Sequence, residues 1–234
     1  MDLYRDQEAV RREYANEERL LARASIYAGS GPDANDVLLE AIAEQSPGDV
    51  LEVGCGPGRL AERLRDERGI GVVAIDSSER MVGLARARGI DARLGDVQAL
   101  AFADQSFDVV IAAWMLYHLT DLDHGLREIA RVLRPGGSLI ATTNSERHLA
   151  EMWTLVGLDG YPLPFNAENG AAILGRHFAH VEQQDISGTV NFPDSDAIRR
   201  YVASSIKGSH LVDQIPESAG PLSASWRCCI FRAR

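Results

Sequence analysis

His118 is the side chain in this sequence best suited to moving a proton at neutral pH, because an unperturbed imidazole titrates close to it. It sits in Met115-Leu116-Tyr117-His118-Leu119, directly after the apolar run Phe107 to Ala112. Two carboxylates have equally suggestive settings. Glu52 lies inside Asp49 to Gly58, which reads D-V-L-E-V-G-C-G-P-G, and Asp76 closes the run Val72-Val73-Ala74-Ile75. An acidic side chain at the end of a second strand can accept from both hydroxyls of a ribose. For His118 two readings stand: a base beside a reacting group, or a turn residue bonded to backbone. The run His118, Asp121, Asp123, His124 imitates a metal cluster. A simpler account makes Thr120 a helix N-cap with Asp123 three residues on, near the capping-box spacing, so no metal is expected.

These groups need a scaffold, and the flanking pattern supplies one. Val50, Leu51 and Val53 end abruptly in Gly54, Gly56 and Gly58, and Leu60, Ala61 and Leu64 then recur at helical spacing. That is strand, tight turn, helix. Glycines let a ligand approach the backbone, Pro57 suits a first helical turn, and the helix start offers free N–H groups. Cys55, inside the loop, occupies a position that needs a small side chain. A dinucleotide fingerprint would place its third glycine at Arg59. The observed pattern is instead E-x-G-x-G-x-G from Glu52, which suits a ribose-bearing cofactor without a pyrophosphate on the loop.

Further along come Asp91 to Leu94, Gly95-Asp96-Val97, Phe107-Asp108, a helix with Leu126, Ile129, Ala130 and Leu133, then Arg134-Pro135-Gly136-Gly137 before Ser138 to Thr143. This ordered series resembles the class I S-adenosylmethionine-dependent methyltransferases, in particular their small-molecule-modifying members, closely from Gly48 to Thr143 and loosely at the ends. The resemblance implies an α/β, Rossmann-like, doubly wound sheet of seven strands in the order 3-2-1-4-5-7-6, the last antiparallel. It implies S-adenosylmethionine as cofactor. Glu52, Gly54, Cys55 and Gly56 would flank its methionine part, Asp76 and Ser77 its ribose. Met81 would pack on the adenine, Asp96 would accept from the adenine amino group, and the Val97 N–H would donate to the ring. Carbonyls near Ala112 and Ala113 would take the ammonium, and Tyr14, on an N-terminal helix, would close over the site.

The whole chain reads as one domain. Residues 1–46 form a helical cap, with helices over Glu8 to Ala24 and from Pro32 and Asp33 through Ile42. Residues 48–143 are the alternating strand–helix core. Residues 144–206 hold a helix over His148 to Leu158, a helix over Ala167 to His177, a strand from Val181 to Phe192 and a helix from Asp194 to Ile206. A polar loop from Lys207 to Ser225 precedes a last strand, Trp226 to Arg232. Tyr4, Tyr14, Tyr27, Trp114, Tyr117, Trp153, Tyr161 and Phe165 either pack the covering helices or line an acceptor pocket. Cys228 and Cys229, adjacent on a strand, should point one inward and one outward.

A formal net charge of −10 over 234 residues disfavours a nucleic-acid partner. Lys207 is the only lysine, an arginine bias that fits a high-GC bacterial genome. The N-terminus lacks the apolar core of a signal peptide and no apolar run approaches ~20 residues, so a cytoplasmic protein without a membrane partner is expected. A monomer or homodimer acting on a small-molecule acceptor is the expectation. The leading function is O- or N-methyl transfer to a small molecule in specialised metabolism. Methylation of carbon on a small or lipid-like acceptor, non-catalytic cofactor binding and nicotinamide-dependent oxidoreduction are the competitors. The side chain at Arg59 and the Gly95-Asp96 pair count against the last.

Overall fold

Seven strands carry the fold in the computed structural model, which describes residues 23, 25–160, 162–205 and 208–234. They are β1 (Val50–Val53), β2 (Val72–Asp76), β3 (Asp91–Leu94), β4 (Phe107–Ala113), β5 (Leu133–Asn144), β6 (Val181–Phe192) and β7 (Leu222–Ala233). Their order is β3-β2-β1-β4-β5-β7-β6. The first five pair in parallel, and β7 enters antiparallel between β5 and β6. The expected order and the antiparallel last strand are therefore both present. Tyr4, Tyr14, Tyr161, Lys207 and the helix expected over Glu8 to Ala24 lie outside the described residues, apart from Arg23.

Apolar runs without polar alternation suit strands covered on both faces. Val50, Val109 and Ile140 join one core with Leu38, Leu39 and Ile42 of α1 (Ala34–Ala43) and Leu64 of α2 (Arg59–Arg68). Their neighbours Leu51, Val110 and Leu139 join the opposite core, with Leu126, Ile129 and Val132 of α4 (Leu122–Val132). Ala61, Val82 and Ala85 seat α2 and α3 (Glu79–Ala87) on the outer strands. Each fully covered Leu or Ile contributes about 1.5–3 kcal/mol relative to exposure.

The Phe107-Asp108 and Arg134-Pro135-Gly136-Gly137 motifs meet at the far end of the sheet from the cleft described below. Phe107 pairs with Leu133 and Val109 with Ser138, so Arg134 to Gly137 loop outward opposite Asp108. Asp108 accepts from the Gly48 and Asp49 N–H groups at 3.0 and 2.9 Å, and Arg134 reaches both Asp108 and Asp49 at 2.8 Å. The cluster ties the starts of β1, β4 and β5 together, a structural task.

Several local expectations are corrected. The N-cap of α4 is Asp121, whose carboxylate accepts from the His124 N–H at 2.9 Å, while Thr120 donates to Gln98. The expected Ala167 to His177 helix contracts to α6 (Gly170–Leu174), because Asn166 and Asn169 side chains bond the preceding backbone into a turn. The segment after His148 is a short helix, α5 (Ala150–Trp153), continued by a 3-10 turn (Thr154–Val156). The last helix is α7 (Ser195–Ala203), capped by Asp194. Cys228 and Cys229 are both buried, since they point to opposite faces of β7 and each face is covered by its own core.

Candidate active site

The carboxyl ends of β1, β2, β3 and β4 open onto one cleft of about 1110 Å³. Crevices at this end of a parallel sheet are where ligands bind. From the β3 side its wall runs through Leu94, Gly95, Asp96 and Val97 to Met81, Asp76 and Ser77, then Glu52, Gly54, Cys55 and Gly56, and on to Ala113, Trp114, Met115 and His118. Gly56 has φ +53° and open space where a Cβ would stand, so the loop presents bare backbone to the cleft. Gly58, at φ +79°, faces inward: an added Cβ would meet the Ala85 Cβ at 2.7 Å, so this glycine lets α2 close on α3.

Asp76 organises the loop before any ligand arrives. One carboxylate oxygen accepts from the Gly56 N–H and the other from the Ser78 N–H, each at 2.9 Å. Burial nevertheless raises its pKa against those bonds. The Ser77 N–H is a third backbone donor to this carboxylate, which keeps a lone pair for a hydroxyl donor.

Glu52 is the most unusual group in the cleft. Only 2 % exposed, it accepts from the Ala61 N–H in the first turn of α2, whose own N-cap, Gly58, has no side chain to offer. Its second oxygen, Oε2, is buried with no hydrogen-bond partner. Burial first, and then the neighbouring Asp76 charge, push its pKa up to about 8. A fully enclosed carboxyl with a vacant oxygen invites a cationic or N–H-bearing ligand group.

His118 ends a 3-10 turn (Leu116–His118), its N–H donated to the Met115 carbonyl at 2.9 Å and its ring against Tyr117 with centroids 4.5 Å apart. Burial, followed by the Arg23 charge, lowers its pKa to about 4, so the imidazole is neutral at pH 7 and able to accept a proton.

A family model described as a methyltransferase domain matches residues 51–141. An uncharacterized methyltransferase of Mycobacterium tuberculosis is 35% identical over 179 residues, covering 74% of this chain and 69% of the relative. The chain belongs to the methyltransferase family. Its enzyme class is S-adenosylmethionine-dependent methyl transfer. A malonyl-[acyl-carrier protein] O-methyltransferase of Pseudescherichia vulneris is 34% identical over 119 residues, 50% of this chain and 47% of that one. Among solved structures, a Bacillus halodurans protein shares the fold with a TM-score of 0.62 at 22% identity, covering 85% of this chain and 97% of its own.

In this methyltransferase the cleft gathers Glu52, Gly54, Cys55, Gly56, Asp76, Ser77, Met81, Asp96, Val97, Ala113 and His118, as the sequence suggests. Ala112 is fully buried in β4 against Ala141, and Ala113 and Trp114 form the wall beside it. Tyr14 falls outside the described residues. Trp153 and Phe165 are buried core, and among the described aromatics Trp114 is the one in this wall.

Two features have no signal in the sequence. Trp114 adopts φ +52°, which nothing about tryptophan announces. His148, buried behind the site, gives Nδ1–H to the Arg227 carbonyl at 3.1 Å and takes the Tyr27 hydroxyl on Nε2 at 2.7 Å, with Tyr201 3.2 Å from Tyr27. That chain ties four distant segments through one polar cluster. No helix among the described residues is long and apolar enough to cross a membrane.

Proposed function

We propose that this methyltransferase binds S-adenosylmethionine along the cleft and transfers its methyl group to a hydroxyl of a small molecule, with His118 taking the proton. The observation that carries this reading is the vacant, buried Oε2 of Glu52 beside backbone open at Gly56, in the same cleft as His118. The cofactor, when bound, supplies an already activated methyl group.

The chain's own residues have three tasks. Glu52 receives the ammonium of the methionine part, together with the carbonyls near Ala113. Asp76 and Ser77 hold the ribose, and Asp96 with the Val97 N–H reads the adenine edge against Met81. Walls from Trp114 to Leu119 align the acceptor oxygen and exclude water, and such alignment is worth about 7–11 kcal/mol of barrier. The cleft, about 1110 Å³, stands at the top of the ~300–1,000 Å³ range of ligand sites. The O-methyl chemistry named for the acyl-carrier relative supports oxygen as the acceptor atom.

S-adenosylhomocysteine should raise the melting temperature, since a ligand bound only to the native state stabilises it by mass action, about 2.7 kcal/mol at a hundredfold excess over Kd. NAD should leave it unchanged. Differential scanning fluorimetry with both ligands tests the reading, and stabilisation by NAD alone would sink it.

Asp76→Ala should weaken S-adenosylhomocysteine by about 1–3 kcal/mol, roughly 5- to 150-fold. The loss has two sources, the ribose acceptor and the Gly56 and Ser78 N–H groups left unpaired. Asp76→Asn, which keeps one acceptor oxygen, should lie between. Unchanged affinity of the alanine variant by calorimetry would remove Asp76 from the ligand's contacts.

A further inference from the structure

Trp114 stands where the cleft turns from the glycine loop toward His118, and three bonds to β5 hold it there. Its backbone N–H is shared between the Thr142 carbonyl at 3.0 Å and Thr142 Oγ1 at 3.2 Å. Its indole Nε1–H is donated to Asn144 Oδ1 at 3.2 Å. Behind it the ring packs on the core that contains Trp153, Tyr201 and Trp226. At φ +52° the backbone occupies a region that a bulky side chain enters only when its surroundings insist. Such outliers concentrate at functional sites, and this one lies in the wall of the cleft.

The charge inventory of that wall gives the ring a task. Among the described residues the lining past β4 is Ala113, Trp114, Met115, His118, Leu119 and Thr120, and none of these carries a carboxylate. A positive charge, that of Arg23, acts on His118. Glu52 and Asp76 belong to the ends of β1 and β2. A sulfonium placed at this end finds its counter-charge in carbonyl dipoles and in the negative face of an aromatic ring, which attracts a cation within ~6 Å of its centroid.

We infer that Trp114 is the residue by which the site tells the charged cofactor from its neutral demethylated product, with Asn144 as the positioning residue that fixes the indole. This rests on the S-adenosylmethionine reading above. The consequence is a methyl end that holds the cofactor while it is a cation and relaxes its hold once the charge has gone. Cofactor exchange is thereby coupled to turnover by a neutral side chain.

The test is a ratio of affinities and needs no acceptor. S-adenosylmethionine, S-adenosylhomocysteine and sinefungin, which carries an ammonium where the sulfonium methyl would be, are titrated calorimetrically into wild type, Trp114→Leu, Trp114→Phe and Asn144→Ala. Trp114→Leu should weaken the two charged ligands about 3- to 30-fold more than the neutral one. Trp114→Phe, which keeps a π face, should retain most of the preference. Asn144→Ala should lose part of it and alter the indole fluorescence. Equal weakening of all three ligands by Trp114→Leu overturns the inference while leaving the cofactor reading intact. Should Trp114→Leu not fold, an unchanged ratio in Asn144→Ala overturns it instead. Wild type that binds none of the three removes the cofactor reading, and this inference with it.

Discussion

His118→Ala is expected to lower turnover on a hydroxyl acceptor by about 10²-fold or more while S-adenosylhomocysteine affinity stays nearly unchanged. A hydroxyl must lose its proton as the new bond forms, and a neutral imidazole in the same cleft can receive it. Held down to about 4 by burial, His118 is in its accepting form at all pH values above about 5, so the profile should lack an acid limb near 6.5. The low basicity has a compensation. The imidazole becomes positive just as the cleft loses the charge it held on sulfur, so the net charge in a poorly solvated space does not rise. A neutral amine acceptor would behave differently, since attack precedes proton loss, and the variant would keep most of its activity. Steady-state kinetics beside a cofactor titration distinguish these cases. Loss of cofactor binding in His118→Ala would make the residue structural and defeat both.

The second large effect is a pH dependence of cofactor binding. With Oε2 vacant and its pKa at about 8, Glu52 is protonated at pH 7 in the free protein. An ammonium seated on it demands the carboxylate, so binding releases a proton. The sign follows: affinity for S-adenosylhomocysteine should rise by up to tenfold per pH unit from pH 6 and level off near 8. Neither His118 nor His148 adds slope there, since burial holds both near 4. Calorimetry at pH 7 in buffers of different ionisation enthalpy should report close to one proton released. Glu52→Gln should bind more weakly at pH 8 and show no slope. A wild-type affinity independent of pH, with no proton exchanged, would place the ammonium elsewhere.

What the sequence makes legible here is what the chemistry constrains. A loop that must show bare backbone to a ligand needs glycine at Gly56, and a ribose needs an acid after β2, so Glu52 through Asp76 announce themselves. Sheet order is legible only through the family resemblance that the same series carries, since periodicity alone does not supply it. The misses fall where two local solutions cost nearly the same. Thr120 and Asp121 are both good caps, each worth about 1 kcal/mol, and Gln98 decides between them by engaging Thr120 and the Asp121 N–H. Trp114 is illegible for another reason: its backbone conformation is imposed by Thr142 and Asn144 on a different strand, and no local pattern encodes it. The early start of β7 at Leu222 is partly visible in retrospect, as Ser223 and Ser225 alternate with the buried Ala224 and Trp226.

The place of β7 also imposes an order of events during synthesis. Residues 222–233 leave the ribosome after everything else in the sheet, yet they stand between β5 and β6, paired with both. A nascent chain that has already made Glu52, Asp76 and His118 still exposes the flank of β5 and has no place for β6, whose twelve-residue register runs entirely along β7. Such non-local pairing is slow, and an unpaired apolar flank is an invitation to wrong partners. The half of the molecule that lines the cleft can therefore assemble early, while β6 waits for the last dozen residues of the sheet. Ligand present during translation would act on the first half only, and the yield of folded protein would be governed by how well the open flank of β5 is shielded until β7 arrives.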